Sequence, residues 1–208
     1  TSGNVIINNL TLQNGAASTG AGLFISGGGT SVSLNDAIVI SNTATMNGGG
    51  IYVQSGSLNL QESDVMMNTA VVDGGGLYSL RGSITSSNSR INYNTADRAG
   101  GVFVNQDMAS FTLNSGEVAF NTASTAVDTF PGGGIFVGSG TVNLNGGEVK
   151  YNHAFRGGGV LVSSGKALLN GAQIVSNTAT YGGGIYIVNS AGWFTQTAGL
   201  IATNESTA

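Results

Sequence analysis

GGGIYVQSGSLNLQESDVMMNTA, residues 48–70, holds one complete unit of this chain's plan. A glycine triplet leads into IYVQ at 51–54, SLNLQ at 57–61 and DVMMN at 64–68. Gly, Ser and Glu punctuate the runs. Apolar residues alternate or cluster in short stretches without helical spacing, the pattern of strands and turns. The triplet then recurs along the chain. It reads GAGLF at 20–24, GGGLY at 74–78, AGGVF at 99–103, GGGIF at 132–136, GGGVL at 157–161 and GGGIY at 182–186. The steps from Gly22 through Gly50, Gly76, Gly101, Gly134 and Gly159 to Gly184 are 28, 26, 25, 33, 25 and 25 residues. A period in this range marks a stacked solenoid, in which each unit buries its apolar face against its neighbours.

A second landmark is Asn, at Asn14, Asn42, Asn68, Asn94, Asn121, Asn152, Asn177 and Asn204, with Thr-Ala following in five of the eight cases. From the second unit on, an aliphatic residue precedes it by three, from Val39 and Val65 to Ile174 and Ile201. Three strands per unit predict an all-β fold: a right-handed, three-sided parallel β-helix of about eight coils of about 25–28 residues, and roughly 35–40 Å long at the strand spacing of about 4.8 Å. It occupies 1–208 as a single domain, cut from a longer protein because the chain starts and stops within a repeat. The column Asn42, Asn68, Asn94, Asn121, Asn152 and Asn177 reads as a buried structural ladder, since an amide both donates and accepts. Asn also tolerates the left-handed backbone of a sharp corner. The glycine triplets precede strands and lack a following Lys-Ser/Thr, so they read as crowded corners rather than phosphate loops.

Composition removes several function classes. Charged residues are 8% of the chain, with six Lys and Arg and no basic cluster, which argues against nucleic acid as a partner. There is no Cys, hence no disulfide framework or thiolate metal site. No run of about 18 apolar residues is present, so this segment inserts no helix into a membrane. TSGNVIINNL at the start lacks the basic and apolar regions of a signal peptide.

The repeated GGG-aliphatic and aliphatic-x-x-Asn motifs resemble the GGA[ILV] and FxxN repeats of chlamydial polymorphic outer-membrane proteins. They are also similar to the wider class of bacterial surface proteins with GGGIY…NTA β-helix repeats. Here the third small residue is Gly rather than Ala, and Val or Ile stands in place of Phe. The resemblance covers nearly the whole chain. It implies an exported, autotransporter-passenger-like module at the cell surface, associated with the outer membrane, that acts in adhesion. Its partner would be a host surface, a glycan, another protein or another copy of itself.

Three surfaces are candidates for that role. On the first strand, Phe24, Tyr52, Tyr78, Phe103, Phe136 and Tyr186 lie between inward residues, so alternation points them outward as an apolar stripe fit to dock an extended partner. On the second strand, the outer positions form a flat grid: Ser31, Ser33, Ser57, Asn59, Ser83, Thr85, Ser110, Thr112, Thr141 and Asn143. Its spacings of about 4.8 and 6.6 Å resemble the ice-binding faces of β-helical antifreeze proteins. The third is the insertion at 124–131, with Val127, Asp128 and Phe130, which maps to a loop on one side of the rod.

Catalysis needs clustered carboxylates, and the ten acidic residues are scattered. Asp64, Arg90, Glu117 and Glu148 each lie four places before a ladder Asn, and Asp73 aligns with Arg98. The alignment predicts ion pairs Asp64–Arg90, Arg90–Glu117 and Asp73–Arg98, worth about 0–1 kcal/mol each if exposed. Glu117 and Glu148, on adjacent rungs about 4.8 Å apart, are the one candidate carboxylate pair of a polysaccharide-active enzyme. His153 is the only histidine and has no partner at ligand spacing. The expectation is a non-catalytic surface module with no cofactor or metal. Ice binding is the alternative, and a polysaccharide-active enzyme comes third.

Overall fold

The structure, a computed structural model, describes residues 3–123 and 131–208. Every described element is a β-strand, and every pairing between successive coils is parallel. The second coil shows the plan, with strands Ile51–Val53, Ser57–Gln61, Asp64–Met66 and Thr69–Ala70. Each pairs with its counterpart one coil on: Ile51 with Leu77, Leu58 with Ile84, Val65 with Ile91 and Thr69 with Thr95. The strands collect into three sheets, of 14, eight and seven members, which makes a three-sided parallel β-helix.

The sides are divided differently from the three-run expectation. The second and third runs of each coil belong to one bent sheet, joined where the strand Lys166–Val175 continues through the bend. The third side is the Thr-Ala segment after the ladder Asn, which is not one of the three expected runs. Its inward residue is Ala, and Ala44, Ala70 and Ala96 form a small cluster of their own. An Ala brings the backbone of that side close to the core, so two residues of strand suffice.

The inward columns are as alternation requires. Ile51, Val53, Leu58, Leu60 and Val65 are buried in one continuous core with their equivalents in neighbouring coils. In the last coil Ile187 and Ile201 are exposed, because that coil has a described neighbour on one side only. Two inward positions carry Ser instead. Ser79 donates to the Gly82 carbonyl at 2.7 Å, whereas the buried Ser86 hydroxyl has no partner.

The glycine triplet is three separate requirements. Gly48 sits at φ +65, where L side chains are strained. A Cβ on Gly49 would lie 2.4 Å from the Thr69 carbonyl oxygen. A Cβ on Gly50 would lie 2.6 Å from the Gly76 oxygen and 3.0 Å from Nδ2 of Asn68. The third glycine therefore makes room for the ladder.

In the ladder, Asn68 donates through Nδ2 to Asn94 Oδ1 at 3.1 Å and to the Val39 carbonyl at 2.9 Å. Its Oδ1 accepts from the backbone and side-chain nitrogens of Asn42 at 3.0 and 2.9 Å. The same bonds run through Asn94, Asn121, Asn152 and Asn177 to Asn204. Asn14 is outside it. Gly15 holds that place, donating its N–H to Asn42 Oδ1 at 2.8 Å. Nor is the left-handed corner residue the Asn. It is the residue before, at Ser41, Met67, Tyr93, Phe120, Tyr151, Ser176 and Thr203, with φ between 53 and 57.

Candidate functional site

The expected apolar stripe exists as a stack but not as an exposed edge. Rings of Phe24, Tyr52, Tyr78, Phe103 and Phe136 follow one another with centroids 5.2, 4.9, 5.3 and 4.5 Å apart and planes within 20°. Phe24 is 46% exposed, but Tyr52 is 8% exposed and Phe103 2%. Leu161 continues the column fully buried, and Tyr186 is partly buried. Alternation places these rings outside the barrel correctly. It cannot see that the chain doubles back over them at each glycine corner. A Cβ on Gly48 would lie 2.9 Å from the Cβ of Tyr52, and one on Gly74 3.0 Å from that of Tyr78. The Arg98 guanidinium then lies 5.3 Å over the Phe103 ring, and Ala99 and Leu80 pack into the same cluster. The Tyr78 hydroxyl takes a hydrogen bond from Asn105 at 2.6 Å, and burial pushes its pKa up to about 12. The stripe is a satellite core.

The polar grid is in register. Ser31 pairs with Ser57, Ser57 with Ser83, Ser83 with Ser110 and Ser110 with Thr141. Alongside runs Ser33, Asn59, Thr85, Thr112 and Asn143. Asn59 accepts a long 3.4 Å bond from Gln61, while the other grid side chains make no side-chain hydrogen bond among the described residues. A third column is self-satisfied, with Asn145 donating to Asn114 at 3.1 Å and Asn170 to Asn145 at 3.2 Å. Lys166 and Leu168 end the grid opposite Thr141 and Asn143.

The charged columns hold two of the three expected pairs. Arg90 grips Asp64 at 2.7 and 2.5 Å, and Arg98 grips Asp73 at 2.7 and 2.9 Å. Arg90 makes no pair with Glu117. Lys150 reaches back between Glu117, at 3.1 Å, and Glu148, while Asn92 donates to Glu117 at 2.5 Å. Burial would raise the Glu117 pKa, but the Asn92 and Lys150 bonds and the Lys150 charge together hold it below the ordinary value. A glycosidase acid needs the opposite shift, and a bridging ammonium fills the space between the two carboxylates. His153 is exposed, and no cluster of three His, Cys, Asp or Glu occurs among the described residues. Val127, Asp128 and Phe130 lie outside the described residues.

A row of rings went unread in the sequence. Tyr93, Phe120 and Tyr151 occupy the left-handed corner of three successive coils, with Met67 on the coil before. Their centroids are 4.9 and 5.0 Å apart, with planes 6° and 16° from parallel. They are 50, 39 and 51% exposed. Such a conformation costs a ring residue on the order of 1 kcal/mol or more, and stacking returns roughly 0.5–1.5 kcal/mol per pair. The signal was available: the residue before the ladder Asn is Tyr, Phe and Tyr in three consecutive repeats. Elsewhere the same position holds Asn14, Ser41, Met67, Ser176 or Thr203, so it shows no constant residue type beside the fixed Asn. A shallow groove of about 310 Å³, lined by Arg81, Gln106, Asp107, Met108 and Ser139, also went unread.

Fold and surfaces together define a ladder-cored parallel β-solenoid carrying separate polar and aromatic columns. No protein-family model, curated protein or solved structure matches the chain.

Proposed function

We propose that this chain is a non-catalytic extracellular β-helix module that projects and presents binding surface, as an adhesin or structural stalk at a bacterial cell surface. One observation carries the reading. The asparagine ladder passes with unchanged bonds from Asn42 to Asn204, beneath outward columns that repeat coil by coil. That is a rigid rod whose outside is free to vary. The bridging of Glu117 and Glu148 by Lys150 speaks against the third reading, a polysaccharide-active enzyme. Beads coated with the purified protein should adhere to cells or extracellular matrix above the level of albumin-coated beads. Beads that adhere no better, or reducing ends released from a polysaccharide by wild type but not by Glu117→Gln, overturn the proposal.

A second reading has its own support. Nine grid side chains face solvent in register with no side-chain hydrogen bond of their own, on a lattice of about 4.8 by 6.6 Å. Groups that are already fixed and unpaired can order water upon them. If the grid binds ice, the protein shapes growing ice crystals and replacing Thr85 and Thr112 with Lys abolishes the effect. Unaltered ice growth at high protein concentration removes this reading.

A further inference from the structure

We infer that the corner row Tyr93, Phe120 and Tyr151 is a binding shelf for an extended, uncharged polysaccharide, the ring faces taking the apolar faces of successive sugars and the flanking polar groups their hydroxyls. The inference names a ligand class for the adhesin reading and rests on it.

The corner needs none of these rings. Asn14 occupies it at φ 56, and Ser41, Ser176 and Thr203 do so at φ 54–55. Asn is among the residues that adopt this backbone most readily. The rings do not serve the core either, because all three are exposed. Near-parallel rings about 5 Å apart are wider spaced than the roughly 3.5–4.0 Å of carbon contact. They meet only when offset, and an offset stack leaves part of each face uncovered. The hydroxyls of Tyr93 and Tyr151 have no partner among the described residues, whereas the buried Tyr78 hydroxyl has Asn105.

What lies beside the shelf narrows the ligand. Asn92 and Lys150 immediately precede Tyr93 and Tyr151 in the chain. Lys150 is shared between Glu117 and Glu148, and Arg90 is committed to Asp64. Both cations are held by carboxylates, and the three carboxylates outnumber the two cations by one, so a strongly anionic partner is disfavoured and no free cation is left to recruit one. Asn92 is buried and spent on Glu117 and the Ala119 N–H. The carboxylate oxygens and the Tyr93 and Tyr151 hydroxyls, unpartnered among the described residues, are the acceptors and donors left for a sugar's hydroxyl groups. A second copy of the chain asks for more area than the shelf has. Rings burying about 200 Å² each when fully covered, half exposed, and Met67 beside them offer on the order of 400 Å², against about 800 Å² per partner in a stable interface. A sugar strand asks for less and runs along the rod as the rings do.

The test compares wild type with the triple variant Tyr93→Asn, Phe120→Asn and Tyr151→Asn. Asn suits this backbone, so the variant keeps its fold, which thermal unfolding verifies. Cellohexaose, chitohexaose, maltohexaose and, as the charged control, hexagalacturonate are titrated calorimetrically. At least one neutral hexasaccharide should bind, with affinity falling tenfold or more in the folded variant. No binding of any neutral probe, equal binding by the variant, or preference for hexagalacturonate overturns the inference. A wild-type dimer in sedimentation that the variant abolishes also overturns it, in favour of a second copy. The bead assay separates the two ideas. Adhesion unchanged in the variant removes the shelf and leaves the adhesin. Sugar binding without adhesion leaves the shelf and removes the adhesin.

Discussion

Asn94 and Ser86 are both fully buried polar residues, and they should respond oppositely to Ala. Truncating Asn94 strips the acceptor from the Asn68 backbone N–H, bonded at 2.9 Å, and from Asn68 Nδ2. It also removes the donor to the Val65 carbonyl at 2.9 Å. Each orphaned group inside the rod costs about 1–3 kcal/mol, so Asn94→Ala should destabilise by at least that much. Ser86 stands between Leu60 and Leu113 in an inward column, and its hydroxyl bonds to nothing. Ser86→Ala deletes an unsatisfied group and should leave stability unchanged or raise it by about 1 kcal/mol. Chemical denaturation reads both. A harmless Asn94→Ala would mean that the ladder bonds contribute nothing net, and a costly Ser86→Ala would mean that its hydroxyl has found a partner.

At the level of elements, two ion-pair columns should give the rod opposite acid responses. Glu117 is held below its ordinary pKa, so it contributes stability above its unfolded value of about 4.3 and loses that contribution as pH falls through the lowered folded value. Asp73 runs the other way. Burial raises its pKa in spite of Arg98, so its contribution is complete below the unfolded value and is lost as pH rises through the folded one. Unfolding measured from pH 6 down to pH 3 should show the gap between wild type and Glu117→Gln narrowing. The gap should not narrow if the Lys150 bridge opens in solution. Which elements exist was legible in the sequence; how they meet was less so. Ile51, Leu58 and Val65 alternate with polar neighbours and announce three strands. The strand at Thr69–Ala70 shows one small inward residue, too short a pattern to carry a period. The ring column at Tyr52, Tyr78 and Phe103 was legible in direction and not in burial. Direction follows from alternation within a strand, but burial depends on where the chain passes after Gly48 and Gly74, which no local pattern records. The exposed row at Tyr93, Phe120 and Tyr151 failed for the reverse reason. Its residues sit in a corner, where alternation assigns no face.

A solenoid tolerates additions that leave the coil closed, because each coil answers only to its neighbours. The chain shows this across its one long step. Asn121 and Asn152 are 31 residues apart, against 25 for Asn152 and Asn177, yet the ladder bonds are 3.0 and 2.9 Å. Sheet register also carries over, with Val102 opposite Ile135 and Phe103 opposite Phe136. The extra length therefore strains neither the ladder nor the glycine-led sheet. Deleting residues 125–130 reduces the long step by six, to the 25 of the next coil. The shortened chain should fold to the same rod, and its unfolding midpoint should change little. If the midpoint falls sharply, the inserted residues support the neighbouring coils. If it holds while cell adhesion disappears, Val127, Asp128 and Phe130 belong to the binding surface, and the corner shelf does not act alone.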